Sequence, residues 1–148
     1  MPSRADQLIR DLGLLPHPEG GHYAEVHRSP AVTTIYFLLK AGEKSRWHRV
    51  RSEEIWHFYE GDPLELLQLS PDGHELERIA LGPTADRQQS VHCVPADYWQ
   101  AARTKGTFTL VGCTVVPAFR FEDFSLLEQF PALAAAITKR HPAVAQFV

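Results

Sequence analysis

The chain has 148 residues, of which 44% are apolar and 22% charged, with a net charge of −3. That is length enough for a buried core and an ordinary globular balance. With no basic tract, no long acidic tail and no apolar run near the ~20 residues of a membrane span, neither nucleic acid nor a membrane surface is an expected partner.

Helical patterning is confined to the two ends. Ser3 is the expected N-cap of a helix over Arg4 to Leu14, with Leu8, Ile9, Leu12 and Leu15 on one apolar face and Gly13 and Pro16 ending it. Pro16 to Gly21 is expected to be a loop. Tyr23 to Val26 is strand-like, and Thr33 to Leu39 is β-branched and aromatic, as strands prefer. Further strands are expected at Ser45 to Val50, Glu54 to Tyr59, Leu64 to Ser70, Glu75 to Leu81, Ser90 to Val94, Trp99 to Ala102 and Phe108 to Val116. Turn residues separate them, and Pro71-Asp72-Gly73 is the clearest hairpin. Phe130 to Arg140 reads as a helix, with Pro131 in its first turn and Lys139 and Arg140 where the helix dipole favours positive charge. About eight short strands at regular spacing indicate a sandwich or closed barrel. The expectation is one all-β domain over residues 1–148, with a barrel at about 20–120 and terminal helices at about 4–14 and 125–140.

The polar start, followed by an amphipathic segment, does not resemble a secretory signal. Cys93 and Cys113 both sit in apolar runs and are expected to be buried free thiols in a reducing cytoplasm, with a disulfide between them left open.

The stretch from Gly42 to Gly61, GEKSRWHRVRSEEIWHFYEG, carries the chemistry. Its spacing is glycine, five residues, His48, one residue, Val50, three residues, Glu54, six residues, Gly61. That resembles the first motif of the cupin superfamily, with Val50 in place of a second histidine. The second cupin motif is matched at Pro95, with Asp97 replacing its glycine and Gln100 its histidine. A narrower resemblance, to the cupin family called domain of unknown function 985, runs from about Leu12 to Leu127. It is carried by Leu14 to Gly21, Thr34 to Leu39, Glu54 to Phe58, Gly61 to Leu64, Val94 to Ala96, Trp99 to Ala101, Leu110 to Val115 and Phe121 to Phe124. The resemblance implies a cupin double-stranded β-helix, an RmlC-like jelly-roll barrel of the sugar-epimerase type. It also implies a homodimer and a small-molecule pocket inside the barrel.

On a strand His48 and Val50 share a face, and so do Glu54, Trp56 and Phe58. The resemblance puts His48, Glu54 and Gln100 at the positions of a three-histidine, one-carboxylate metal set. A neutral amide is a poor ligand for zinc, nickel, iron or manganese, so a metal-free pocket with His48 hydrogen-bonded to Glu54 is preferred over a weakly held divalent metal at His48, Glu54 and Gln100. No cofactor is then required. His48 and Glu54 are the catalytic candidates, the imidazole moving a proton and the carboxylate orienting it. Gln100 is expected to hold a substrate oxygen. Trp56, Phe58, Tyr36 and Trp99 are candidate walls for a ligand, alongside Trp47 and Phe37, though core packing competes for each. His57 alternates away from Glu54 and reaches a ligand only if a bulge turns it back. Glu19, His22 and His27 could close the barrel mouth, with surface histidines the more ordinary outcome. His17, His74 and His141 are expected to be solvated. Arg49 and Arg51 could receive a phosphate or carboxylate at the rim, or pair with surface carboxylates. The expected activity is an isomerase, epimerase or lyase acting on a small polar, sugar-like or acid-like substrate. A metal-dependent dioxygenase or decarboxylase and a non-catalytic ligand-binding module are the alternatives.

Overall fold

A computed structural model describes residues 1–148. Eleven strands form two antiparallel sheets. The first contains β1 (Leu15–Pro16), β2 (His22–Arg28), β3 (Thr33–Lys40), β5 (Glu53–Gly61), β8 (Val91–Val94) and β10 (Phe108–Val116), in the order β1-β2-β3-β10-β5-β8. The second contains β4 (Ser45–Arg49), β6 (Leu64–Leu69), β7 (Leu76–Leu81), β9 (Trp99–Thr104) and β11 (Ser125–Leu126), in the order β11-β4-β9-β6-β7. The helices are α1 (Arg4–Asp11) and α2 (Pro131–Arg140). No helix is long and apolar enough to cross a membrane.

Most elements follow from the local sequence. Ser3 caps α1 by accepting from the Asp6 N–H at 3.1 Å. Pro131 occupies the first turn of α2, and Lys139 and Arg140 lie in its last. The β6–β7 hairpin turns at Pro71-Asp72-Gly73, where Gly73 has φ +80°. Helix α1 is shorter than expected, ending at Asp11, and residues 15–16 pair with β2 instead of staying in a loop.

The two sheets enclose a core of Phe37, Trp56, Val111 and Cys113 from the first and Leu64, Leu66, Leu81 and Ala102 from the second. Each sheet is also covered outside. Helix α1 packs Ala5 and Leu8 on Leu38 and Leu110. Helix α2 and the C-terminal residues pack Ile137, Val144 and Phe147 on Trp47, Leu67, Leu69 and Trp99. Hence β6, LELLQL, is apolar on both faces: Leu64 and Leu66 point in, Leu67 and Leu69 out.

This double coverage corrects two expectations. Trp99 and Tyr36 do not face the barrel. Trp99 neighbours the inward Gln100 and Tyr36 the inward Phe37, so strand alternation turns both outward. His57 also points out, pairing with Gly112 and stacking on Tyr59 with ring centroids 6.4 Å apart. The β5 bulge falls at Tyr59, too late to turn His57 inward. The cysteines are both free, but only Cys113 is buried, because Cys93 lies on the outer face of the edge strand β8.

One loop position is sterically demanding. Gly20 has φ +111°, and a Cβ there would lie 2.0 Å from the Lys44 carbonyl oxygen. Gly42 has φ +86° with nothing within 4 Å of such a Cβ. Gly42→Ala should cost about 1 kcal/mol of conformational strain. Gly20→Ala should cost clearly more in urea denaturation, because a backbone carbonyl must also move. Equal losses would show that the 17–21 segment is not pressed against β4.

Candidate functional site

The segment from His17 to Gly21 crosses one end of the barrel as a strap. The Arg46 N–H donates to the Glu19 carbonyl at 2.9 Å, and the Gly20 contact with Lys44 brings the strap to van der Waals range. Glu19 is carried inside and is 6% exposed. On the opposing strand, the register of β4 with β9 shifts between Ser45 and His48. This bulge lets Ser45 and His48 both point in, while Trp47 between them packs outward. The two inward side chains converge on Glu19. Ser45 Oγ donates to Glu19 Oε1 at 2.7 Å, and His48 Nε2 lies 3.0 Å from Glu19 Oε2.

The hydrogen-bond inventory fixes the protons. His48 Nδ1 lies 2.7 Å from the Arg46 carbonyl oxygen. A carbonyl only accepts, so Nδ1 carries a proton. Nε2 lies within ion-pair distance of Glu19 Oε2, a contact that suits either a carboxylic acid beside a neutral imidazole or a carboxylate beside an imidazolium. Burial lowers the His48 pKa and raises that of Glu19, and both shifts favour the uncharged pair. His17 stands behind this pair, its pKa also lowered by burial, and its Nδ1 accepts from the Glu19 N–H at 3.1 Å.

Glu54 supplies a second proton carrier. It is 7% exposed, and burial pushes its pKa up to about 7 despite the opposing influence of His48. Its Oε1 accepts from Gln100 Nε2 at 2.7 Å, and Gln100 Oε1 in turn accepts from Trp56 Nε1 at 2.8 Å. Gln100 is thus a strut between Trp56 and Glu54, with both amide atoms engaged. It does not present a free amide to a ligand. The Cys113 thiol lies beside Glu54, and its pKa is raised by burial and by the nearby Glu54 and Glu19 carboxyls.

These groups open into a cavity of about 70 Å³. Tyr23, Phe37, Phe119, Phe121 and Phe124 form its aromatic wall, and Arg28 and Thr33 also line it. Phe124 stacks on His48 with centroids 5.6 Å apart and planes at 28°. His48 and Glu54 therefore share one cavity, as their spacing indicates, but Glu19 occupies the place at His48 that Glu54 was expected to take. Trp56 and Phe58 point inward yet belong to the packed core behind the cavity, not to its lining. His17 lines the cavity and is not solvated. His141 is also partly buried, its Nε2 lying 3.1 Å from the Gly73 carbonyl. Arg49 lies over the rings of Trp99 and Phe130, 4.6 and 5.1 Å from their centroids, and not at the cavity rim. Glu19, His17, Cys113 and Phe124 were not assigned from the sequence as groups around His48. The consecutive Gly20 and Gly21, both at positive φ, are the local signal that this strap approaches another backbone closely.

The residues do not fit the metal set implied by the resemblance. His48 Nδ1 and both amide atoms of Gln100 are already hydrogen-bonded, and His48 Nε2 lies 3.0 Å from Glu19 Oε2. No group of three His, Cys, Asp or Glu side chains is arranged to hold an ion. No chemical step is therefore routed through a metal.

Residues 6–127 match the family described as cupin superfamily (DUF985). Among solved structures, a protein from Shewanella oneidensis is 36% identical with TM-score 0.88, over 99% of this chain and 97% of that one. A hypothetical protein from Leishmania major is 30% identical with TM-score 0.78, over 93% of this chain and 98% of that one. A cupin 2 conserved barrel domain protein from Rhodopseudomonas palustris shares the fold, with TM-score 0.65 at 15% identity over 91% of this chain and 88% of that one. No curated protein matches the sequence.

Glu54 links the site to stability. Between pH 4.5 and about 7 the folded protein keeps a Glu54 proton that the unfolded chain has released, so this group stabilises below pH 4.5 and its contribution fades as pH rises to about 7. The loss amounts to roughly 3 kcal/mol. His17 and His48, held low by burial, act oppositely and cost stability as pH falls through 6.5. The difference between wild type and Glu54→Gln isolates the carboxyl. The variant should gain relative stability from pH 4.5 to 8 in urea denaturation, and a pH-independent difference would contradict the raised pKa.

Proposed function

The chain belongs to the DUF985 family of the cupin superfamily, and on that footing we propose that it binds a small polar ligand, sugar-like or acid-like, in the cavity at its barrel end. On this reading it is an enzyme of the isomerase, epimerase or lyase kind that works by proton transfer. The observation carrying the proposal is the pairing of two distinct proton carriers in one cavity. Glu19 and His48 lie 3.0 Å apart, and burial pushes the Glu54 pKa up to about 7.

Isomerisation and epimerisation need one group to take a proton and another to return one. A carboxyl with its pKa near neutrality serves either purpose at similar cost. Gln100 fixes Glu54 Oε1 and so determines which carboxyl edge meets the ligand. The Arg46 carbonyl fixes the His48 ring, leaving Nε2 as the atom that exchanges a proton. Phe124 stacked on His48 and the surrounding phenyl rings would keep water from the exchanging groups once a ligand enters.

The same reading has the protein act in the cytoplasm as a homodimer. Two free cysteines suit a reducing compartment. Exposed Tyr59 and Val91 on the outer face of the first sheet suit a subunit contact.

A thermal-shift screen of sugars, sugar acids and small carboxylic acids should find a stabilising ligand, followed by assay for its isomerised or eliminated product. His48→Ala and Glu19→Gln should each lower turnover by roughly 100- to 10,000-fold while circular dichroism stays that of wild type. Binding without turnover would leave a ligand-binding module. Near-stoichiometric zinc, nickel, iron or manganese, lost in His48→Ala, would instead support a metal-dependent dioxygenase or decarboxylase.

A further inference from the structure

A second feature adjoins the cavity mouth. Three chain segments meet there: the β2–β3 turn with Arg28 and Ser29, the β4–β5 turn with Arg51 and Ser52, and the stretch after β10 with Arg120 and Asp123. They line one groove, whose charged lining residues are three arginines and one carboxylate, Asp123. The remaining ion-pair partners, Glu25 of Arg28 and Glu122 of Arg120, do not line it. Arg28 lines both groove and cavity and thereby joins them.

The groove is built rigidly. Ser52 Oγ donates to the Pro117 carbonyl at 2.7 Å. The Phe119 N–H donates to Thr33 Oγ1 at 2.9 Å, and Arg28 Nη1 donates to the Phe119 carbonyl at 2.9 Å. These bonds pin the segment after β10 to its neighbours and so fix the backbone positions from which the three arginines project.

The arginines are not equally committed. Arg28 holds Glu25 through Nε and Nη2, at 2.7 and 3.3 Å, and is structural. Arg120 pairs with Glu122, but its side chain is 65% exposed. Arg51 is 80% exposed, and its Nε reaches Asp123 only at 4.0 Å. Exposed pairs of this kind are weak and exchange readily for a better acceptor. A guanidinium fork is matched to two oxygens of one group, which makes carboxylate or phosphate the fitting partner.

We propose that this groove binds the oxyanion of the ligand, a carboxylate or phosphate group, while the polar remainder of the same molecule enters the cavity. The inference rests on the cavity being the ligand site and narrows its substrate to an anion. Arg28 sits at the junction, and Arg51 and Arg120 close on the anion from two sides.

The test is a ¹H–¹⁵N NMR titration of the full chain at fixed ionic strength, with inorganic phosphate in one series and malonate in another. Saturable shifts are expected at the Ser29, Ser52, Ala118 and Arg120 amides. The double variant Arg51→Ala, Arg120→Ala should weaken them roughly tenfold, since each exposed charge pair is worth up to a few-fold. Arg103→Ala, where Arg103 pairs with Glu65 elsewhere on the surface, should leave them unchanged. Stronger binding of phosphate identifies a phosphorylated ligand, and equal or stronger binding of malonate a carboxylate. Absence of saturable shifts with both anions, or equal shifts in the double variant, overturns the proposal. His48→Ala should retain the shifts, so a failure of the groove and a failure of the cavity chemistry are read separately.

Discussion

The site depends on the close approach of Glu19 and His48 inside the barrel, 3.0 Å apart. Because the Arg46 carbonyl claims one ring nitrogen, the other must meet the Glu19 carboxyl. Neither partner could be buried alone at modest cost, since an isolated buried charge is expensive. Together they are neutral, and the interior tolerates them. Two departures from regular backbone make the meeting geometrically available. The strap from His17 to Gly21 lies on β4, and the β4 bulge turns Ser45 and His48 to the same side.

The surrounding fold confines this chemistry to one end of the barrel. Leu64, Leu66, Leu81 and Trp56 pack together in the middle, and Phe37, packed with them, also lines the cavity. At the open end the second carboxyl, Glu54, is braced by Gln100, and Gln100 by Trp56. A residue that spacing places at a metal-ligand position has become a strut. The stretch after β10 contributes Phe119, Phe121 and Phe124 to the cavity wall. It also contributes Arg120 to the charged groove outside. The cavity wall and the charged groove therefore share one segment.

Much of the architecture was legible in the sequence. The helical ends, the central strands and the β6–β7 turn follow from capping residues, turn residues and β-branched runs, and the cupin fold from the family resemblance carried by the Gly42–Gly61 motif. The strand period groups Glu54 with Trp56 and Phe58 and His48 with Val50, while their placement inside the barrel came from that resemblance. The facing of the aromatics was less legible. Strands such as β6 carry apolar residues on both sides, since helices cover both outer faces, and binary patterning alone does not then say which side is in. Yet Trp99 follows from the placement of Gln100, for adjacent residues on a strand cannot share a face. Glu19 was named as a residue that could close the barrel mouth, but its meeting with His48 was beyond reach for a different reason. Its position depends on a strap contact between residues 20 and 44, far apart in sequence and visible locally only as two consecutive glycines.

The most direct test is ¹⁵N NMR of the His48 imidazole in otherwise native protein. A neutral ring is expected at pH 6.5, its ordinary pKa, with the proton on Nδ1 and an Nε2 shift that Glu19→Gln alters. A neutral ring carrying its proton on Nε2, or an imidazolium at that pH, would contradict it.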